Sequence, residues 1–541
     1  MKRDTVFKIT PHAMGTVKGD RDNLGFKAFS LAQMARIGLP VPPAFVLGTP
    51  HCRIWRQDPE HYKKTLASLL EEQMRWLQSV AKLGFGDPRN PLLVSVRSGA
   101  PVSMPGMMDT LLNIGLCGST LHGLLRITGN PRLVWDSYRR LIQNFAEVVY
   151  GADPQPFEEV LRETLDRERL ERFQELDYLN LQEIAQTYLQ IFSSVTGSPF
   201  PQDPYEQLEL GVQAVFSSWN SSRAVDYRRI YGIRDELCTA VTIQKMVFGN
   251  AGGTSGSGVG FTRDPDTGEK WLYFDFLFNS QGEDVVSGRT TSLDTERLPL
   301  VFPGTLQELS DICASLEHEF RDAQEFEFTI QDGILYLLQA RSAKRTPWAA
   351  LRIAVEQVGE GIIDQVEALA RLEGIALDGV KRERLMTEGE EPLGRGQPAG
   401  TGVAIGPIVL DTDAARRFSA EGRPAVLVRE EMTTDDIAGI AQSAGVLTAR
   451  GNRTSHAAVV ARQLGKGCVV GCGSLRIDMG RRVVIIGNRT LAEGEPITLD
   501  SNTGCVFAGE AKIVVDYPTQ WLDEIMKWRQ ASASEKTAEG V

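Results

Sequence analysis

The residue best placed for chemistry is His456, within the stretch RGNRTSHAAVVARQLGKGCVVGCG at 450–473. Gly451 and Asn452 are turn residues. Thr454 or Ser455 can cap a helix running through Ala457–Leu464, Gly465 supplies its stop, and Cys468–Val470 begins a buried strand. His456 falls in the first turn of that helix, where unpaired backbone N–H groups and the positive end of the dipole gather. That setting disfavours the imidazolium and predicts a neutral, nucleophilic ring near pH 7. A phosphoryl group carried on the ring would meet the same N–H donors. A histidine so placed can equally be an ordinary capping-region or core residue, so the rest of the chain has to be weighed with it.

Three further stretches carry residues suited to phosphate. Arg97 closes the continuous apolar strand Leu92–Val96 and is followed by the turn Ser98-Gly99-Ala100-Pro101; a surface ion pair is its plainer reading. GNAGGTSGSG, 249–258, lies between strand-like runs. Its backbone N–H groups can curl around phosphate oxygens, with Thr254, Ser255 and Ser257 adding hydroxyls. It is not a Walker A motif, because no Gly-Lys-Ser/Thr opens a helix, and a Gly/Ser hairpin loop would explain it too. In EFEFTIQDGILYLLQARSAKR, 325–345, alternation sets Glu325, Glu327 and Thr329 on one face and Phe326 and Phe328 on the other. Asp332-Gly333 makes the turn, and the return strand aligns Leu335, Leu337 and Gln339, with Arg341 two residues beyond. Two carboxylates facing Gln and Arg suit Mg²⁺ and a polyphosphate together; a solvated face with cross-strand pairs is the alternative.

The elements that must hold these residues follow from pattern. In 16–50 a helix through Leu31, Met34 and Ala35 ends at Gly38 and leads, past Pro40, Pro42 and Pro43, into a strand at Ala44–Leu47. Residues 51–90 and 117–225 have helical spacing, 239–290 return to strands, and DPDTGEK at 264–270 reads as a plain hairpin turn. Helices follow over 346–376. The run LMTEGEEPLGRGQPAGTGVA, 385–404, is rich in Gly, Pro and charge and reads as an interdomain linker. Strands then alternate with short helices, one of them opened by the capping sequence TTDDI at Thr433 or Thr434. The polar end QASASEKTAEGV, 530–541, is expected to be disordered.

Size and charge bound the function. A chain of 541 residues is enough for three or four domain equivalents with large cores. Its net charge of −12 argues against a nucleic-acid footprint, but not against nucleotide binding, which needs only a local cluster of Lys and Arg. The opening MKRDTVFKITPHAMG has no apolar signal region, and no apolar run reaches the roughly 18 residues of a membrane span. Seven dispersed cysteines without a signal segment point to a reduced, cytoplasmic protein. Cys468 and Cys472 form the one close pair, read as buried structural thiols.

Several segments together resemble a known family. TSHAAVVAR resembles the phosphohistidine segment of the pyruvate, phosphate dikinase and phosphoenolpyruvate synthase family, its Thr-Ser-His form being more like the dikinase. VSVRSGAPVSMPGMMDT, the 249–258 loop and SQGEDVVSG at 280–288 are similar to dikinase segments as well. The resemblance implies an α/β (α+β) architecture: an ATP-grasp nucleotide-binding domain with a helical insertion, joined by a linker to a small swivelling phosphohistidine β/β/α domain. The expected boundaries are 1–116 and 226–345 for the two parts of the ATP-grasp domain, with 117–225 as the insertion. Residues 346–404 are then helix and linker, 405–510 the swivelling domain, and 511–541 a C-terminal tail.

The resemblance further implies ATP held by Lys27, Arg97, Gly253, Thr254, Ser255, Gly256, Glu283, Glu327, Gln339 and Arg341, with Mg²⁺ on Glu325, Glu327 and Gln339. Arg97 and Arg341 would serve catalysis beside His456. Two positions depart from the family pattern: Phe26 replaces a Gly ahead of Lys27, and Glu325 stands where the dikinase usually has Asp. The implied reaction is attack of His456 on the β-phosphoryl group of ATP, with orthophosphate accepting the γ-phosphoryl group, giving AMP, pyrophosphate and phosphohistidine. In the family a (β/α)₈ barrel for pyruvate and phosphoenolpyruvate follows, and this chain stops where that barrel would begin. The expected phosphoryl acceptor is therefore bound on a separate protein. Water or another acceptor, or a non-catalytic nucleotide-sensing subunit, are the other readings. Thr454 matches a position phosphorylated in some dikinases and is equally explained as a helix cap.

Overall fold

The computed structural model describes residues 5–11, 19–102, 104, 108–170, 173–286, 293–386, 391–400, 402–432, 436–451 and 456–538. By its internal contacts the chain divides into two units, 1–252 with 334–339, and 253–333 with 340–541.

The first unit is built on a five-stranded antiparallel sheet. Its order is Val6–Ile9, Ala44–Leu47, Ala240–Lys245, Val94–Gly99, Thr110–Ile114. Among the described residues, six α-helices from Leu121–Thr128 to Ser222–Ile230 follow the last strand of its first half. Four of them start where a side chain can cap them, at Asn130, Asp177, Asp203 and Ser221. These helices share the core of the sheet: Phe145, Tyr188, Phe192 and Trp219 are buried in one cluster with Val94, Val96, Leu111 and Ile243. The stretch expected as an insertion is thus the covering layer of the sheet that carries Arg97. The segment 334–339 is tied to this unit by the Leu337 N–H, which donates to the Pro40 carbonyl at 2.7 Å.

In the second unit the strand Gly256–Phe261 runs antiparallel between Tyr273–Phe278 and Gln324–Gln331. Its glycines alternate because aromatic rings fill their side-chain positions. A Cβ on Gly256, Gly258 or Gly260 would lie 2.2, 2.3 or 2.4 Å from Phe276, Phe328 or Phe326. At the far end of this strand Arg263, fully buried, bonds Glu317 on the helix Thr305–Phe320 and Glu356 and Glu360 around the helix Pro347–Gly359.

Residues 394–508 form an α/β layer. Parallel strands Val403–Val409, Val426–Arg429, Gly445–Thr448 and Gly467–Val470 are joined by crossover helices Thr412–Ala420, Ile437–Gln442 and His456–Gln463. Antiparallel strands extend the sheet on both sides to eight, and a separate three-stranded sheet spans 475–492.

Two expectations are corrected. The linker 385–404 is in part structured. Gly394–Arg395 and Gln397–Pro398 pair with Cys505–Ala508 and Gly467–Val470, and Arg382–Leu385 pairs with Ile513–Asp516. Backbone pairing overrides the composition there, since glycine is needed where strands approach closely: a Cβ on Gly396 would meet the Val470 carbonyl at 2.5 Å. The C-terminal tail is not disordered through its described part, because a helix runs Thr519–Ala538. Trp521, Leu522, Ile525 and Trp528 make an apolar stripe, and Ile525 and Trp528 are buried with Leu351, Ala354 and Leu372. The helix persists past residue 530 because it is already nucleated and packed upstream.

Candidate active site

His456 is the first residue of the helix His456–Gln463, which follows the strand Gly445–Thr448. It therefore stands at the carboxyl edge of a parallel sheet, the edge where α/β layers present ligands. The helix seats through small residues: Ala458 and Ala461 are buried against Ile440, Val446, Cys468 and Val470. The proposed caps Thr454 and Ser455, and Thr433 and Thr434, lie outside the described residues, as does the side chain of His456. Cys468 and Cys472 are buried free thiols, and burial pushes Cys468 up to about 12.

In the first unit the structure brings Lys27 to the end of the Arg97 strand. The helix Arg21–Arg36 is kinked at Gly25 (φ +72°), and the Phe26 N–H donates to the Ala100 carbonyl at 2.8 Å. Arg21 stacks over the Phe26 ring and donates from Nε to the Pro101 carbonyl at 2.9 Å. A cation–π contact thus holds the Phe26 ring immediately after the kink. Lys27 Cβ lies 4.0 Å from where a Cβ on Gly99 would be, two residues from Arg97, which pairs with Thr110 and Thr242. Gln339 is buried, on the segment that belongs to this unit.

In the second unit Glu325 pairs in register with Phe261 and Glu327 with Val259, so both carboxylates lie on one strand two residues apart. Arg341 is ion-paired with Glu325. Burial opposes its charge, but the carboxylates of Glu325 and Glu327 outweigh that and hold its pKa above the ordinary arginine value. Asp332 and Gly333 both have positive φ, as a tight two-residue hairpin requires.

The Gly-rich loop is shorter than the sequence suggests, because Gly256 already lies in the strand Gly256–Phe261. The Ser255 hydroxyl accepts the Asp332 N–H at 3.0 Å, and the Ser257 hydroxyl donates to the Ser280 carbonyl at 2.9 Å. Both hydroxyls are buried and bonded within the hairpins. Gly253 and Thr254 remain exposed. Glu283 sits on the short helix Gly282–Val286, with its side chain outside the described residues.

Among the described residues no cluster of three or more His, Cys, Asp or Glu is arranged to hold a metal. Nucleotide-bound Mg²⁺ needs only one or two carboxylates, the rest being phosphate and water oxygens. Glu325 and Glu327 meet that requirement with oxygen donors alone.

One contact was invisible to sequence reasoning. Arg462, in the last turn of the histidine helix, reaches Asp266 in the turn read as a plain hairpin, with Nε to Oδ1 at 2.6 Å. Both side chains are buried. A residue separation of 196 leaves no local signal that could have found it.

Among the described residues no helix is long and apolar enough to cross a membrane. Comparison with known families matches residues 61–297 to "Pyruvate phosphate dikinase, AMP/ATP-binding domain" and residues 422–504 to "PEP-utilising enzyme, mobile domain". Among curated proteins, the pyruvate, phosphate dikinase of Rhizobium meliloti is 42% identical over 95% of this chain and 59% of its own length. That of Clostridium symbiosum is 40% identical over 94% and 59%, and the chloroplastic dikinase of Mesembryanthemum crystallinum 42% over 94% and 54%. The chain thus spans a little over half the length of these relatives.

Proposed function

We propose that this chain, which carries the nucleotide-binding and mobile domains of the pyruvate, phosphate dikinase family, is an ATP-dependent phosphotransferase of dikinase type in which His456 carries the phosphoryl group. The observation that carries this reading is the position of His456: first residue of a helix at the carboxyl edge of a parallel sheet, inside the matched mobile domain.

In this reading the two parts of the nucleotide domain form an ATP-grasp fold. Lys27, Arg97 and Arg341 are the residues proposed to neutralise phosphate charge, with Gln339 and the exposed Gly253 and Thr254 as further nucleotide contacts. Glu325 and Glu327, with Gln339, would hold Mg²⁺, which supplies charge neutralisation across the phosphates. Glu283 completes the nucleotide set.

The neutral imidazole of His456 attacks the β-phosphorus. A nitrogen–phosphorus bond forms as the bridging bond to the α-phosphoryl group breaks, and AMP leaves with the electron pair. An orthophosphate oxygen then takes the γ-phosphoryl group, so pyrophosphate departs and phosphohistidine remains. Transfer of this kind depends on positioning and charge neutralisation rather than on a protein covalent acid or base. The mobile domain swivels to deliver the phosphoryl group to its acceptor.

The test is incubation with β-labelled ATP and Mg²⁺, with and without orthophosphate. Acid-labile label on the protein, lost in His456→Ala, with AMP and orthophosphate-dependent pyrophosphate, is the expected result. Pyrophosphate replaced by phosphate would mean that water is the acceptor of the γ-phosphoryl group. Tight ATP binding with no AMP formed would overturn the reading in favour of a nucleotide-sensing subunit.

A further inference from the structure

The turn between the strands Gly256–Phe261 and Tyr273–Phe278 is built more firmly than a surface hairpin requires. Asp264 Oδ1 accepts from the N–H groups of Asp266 and Thr267 at 2.7 and 2.9 Å. Thr346, which caps the helix Pro347–Gly359, donates its hydroxyl to the Asp266 carbonyl at 2.8 Å and its N–H to the Pro265 carbonyl at 3.0 Å. The Asp266 backbone is therefore held from both sides independently of Arg462. On the other element, Arg462 follows the buried Ala458 by four positions, on the face by which the helix seats. His456 opens that helix six residues upstream, about 9 Å away along its axis.

The turn also lies at an informative end of its strand. Phe261 is in register with Glu325, whereas Gly256 at the other end is in register with Ile330. Asp266 thus projects from the end of the sheet that carries the Glu325–Arg341 pair, not from the Gly-rich loop end.

We propose that Asp266 and Arg462 form a docking latch that positions the histidine helix at the Glu325–Arg341 end of the nucleotide-domain sheet, in the arrangement from which His456 is loaded by ATP. The loading part rests on the function proposed above; the latch does not. The pair joins two modules of the chain, so opening it returns both charges to water. A buried ion pair roughly balances its desolvation cost against its attraction, so it contributes registry more than tightness. That suits a contact that must form in one place and yet release. Removing one partner differs from removing both: a single neutralisation removes the attraction of the pair while the remaining charge is still buried only in the docked state, and shifts the equilibrium toward the open one.

The experiment places fluorophores at Glu308→Cys and Arg417→Cys, both exposed, which the seven buried native cysteines permit. Single-molecule energy transfer is read for the otherwise unaltered chain, Asp266→Asn, Arg462→Gln and the double variant, alongside the rate of β-labelling of His456 and the KM for ATP. The expected result is a shift of the docked population toward low transfer in each single variant. Labelling should slow at least tenfold with KM for ATP unchanged, and the double variant should be less impaired than the product of the singles. A merely structural role would move the melting temperature and the ATP KM and leave no recovery in the double variant. An unchanged transfer distribution in both singles overturns the latch. A shifted distribution with unchanged labelling rate overturns its assignment to loading. If the unaltered chain takes up no label at all, the functional reading fails by itself and energy transfer alone decides the latch.

Discussion

A Cβ placed on Gly25 would lie 1.8 Å from the carbonyl oxygen of Gly99. That single approach seats the first helix on the end of the Arg97 strand and brings Lys27 to it. Gly25→Ala meets both the clash and a φ of +72°, and strain of that kind costs of order 1–3 kcal/mol before the clash is relieved. Expected is a fall in urea midpoint together with at least tenfold weaker ATP binding by calorimetry. Gly129→Ala, at φ +60° with nothing within 4 Å, is the control; it should lower stability by about 1 kcal/mol and leave ATP binding alone. Equal ATP affinity in both variants would detach Lys27 placement from the Gly25 kink.

Arg263 and Lys270 both pair with Glu360, yet their removal should differ greatly. Arg263→Met strands Glu317, which is 3% exposed and otherwise bonded by Thr262 Oγ1 at 2.7 Å. Losing one partner of a buried pair costs about 3–5 kcal/mol. Lys270 is half exposed, and Lys270→Ala should cost no more than about 1 kcal/mol. Thermal unfolding of the two variants side by side decides it; similar melting temperatures would show that the Arg263 network carries little of the stability.

His51 gives the first unit a specific acid sensitivity. Its Nδ1 lies 2.7 Å from the Tyr62 hydroxyl and its Nε2 2.9 Å from the Thr5 hydroxyl, and burial lowers its pKa from 6.5 to about 4. Between those values the unfolded state binds a proton that the folded state refuses. Stability should therefore be unaffected above pH 6.5 and fall as pH drops toward 4, by a total of about 3 kcal/mol. His51→Gln should flatten the slope of unfolding free energy with pH by one proton in that window. An unchanged slope would mean that other groups set the acid response.

Glu325 has two partners to serve, the Arg341 guanidinium and, in the proposed function, Mg²⁺. Glu325→Ala should raise the Mg²⁺ concentration for half-maximal AMP formation at least tenfold. Arg341→Met should leave that midpoint in place and lower the rate by about 10²-fold, the usual loss for one transition-state donor. A Mg²⁺ midpoint unmoved by Glu325→Ala would remove Glu325 from the metal and leave it as the residue that holds Arg341.

Much of the site's local structure could be read along the chain. The 325–345 hairpin follows from alternation and Asp332-Gly333, and the histidine helix from an apolar spacing ended by Gly465. These depend on neighbours within a few residues. The serines of the 249–258 loop look unpartnered locally, and only the folded hairpins show Ser255 and Ser257 already bonded. Composition misled at the chain's end, where a polar run continues a helix whose apolar stripe lies upstream.

The sequence by itself determined which residues could do chemistry and which elements carry them, because side-chain type, periodicity and turn chemistry are properties of short segments. Tertiary structure decided which of them meet. The helical stretch became the cover of the Arg97 sheet because neither could bury its apolar face alone. Asp266 and Arg462 found each other across 196 residues because two charges leave water together only where a folded surface brings both to one place.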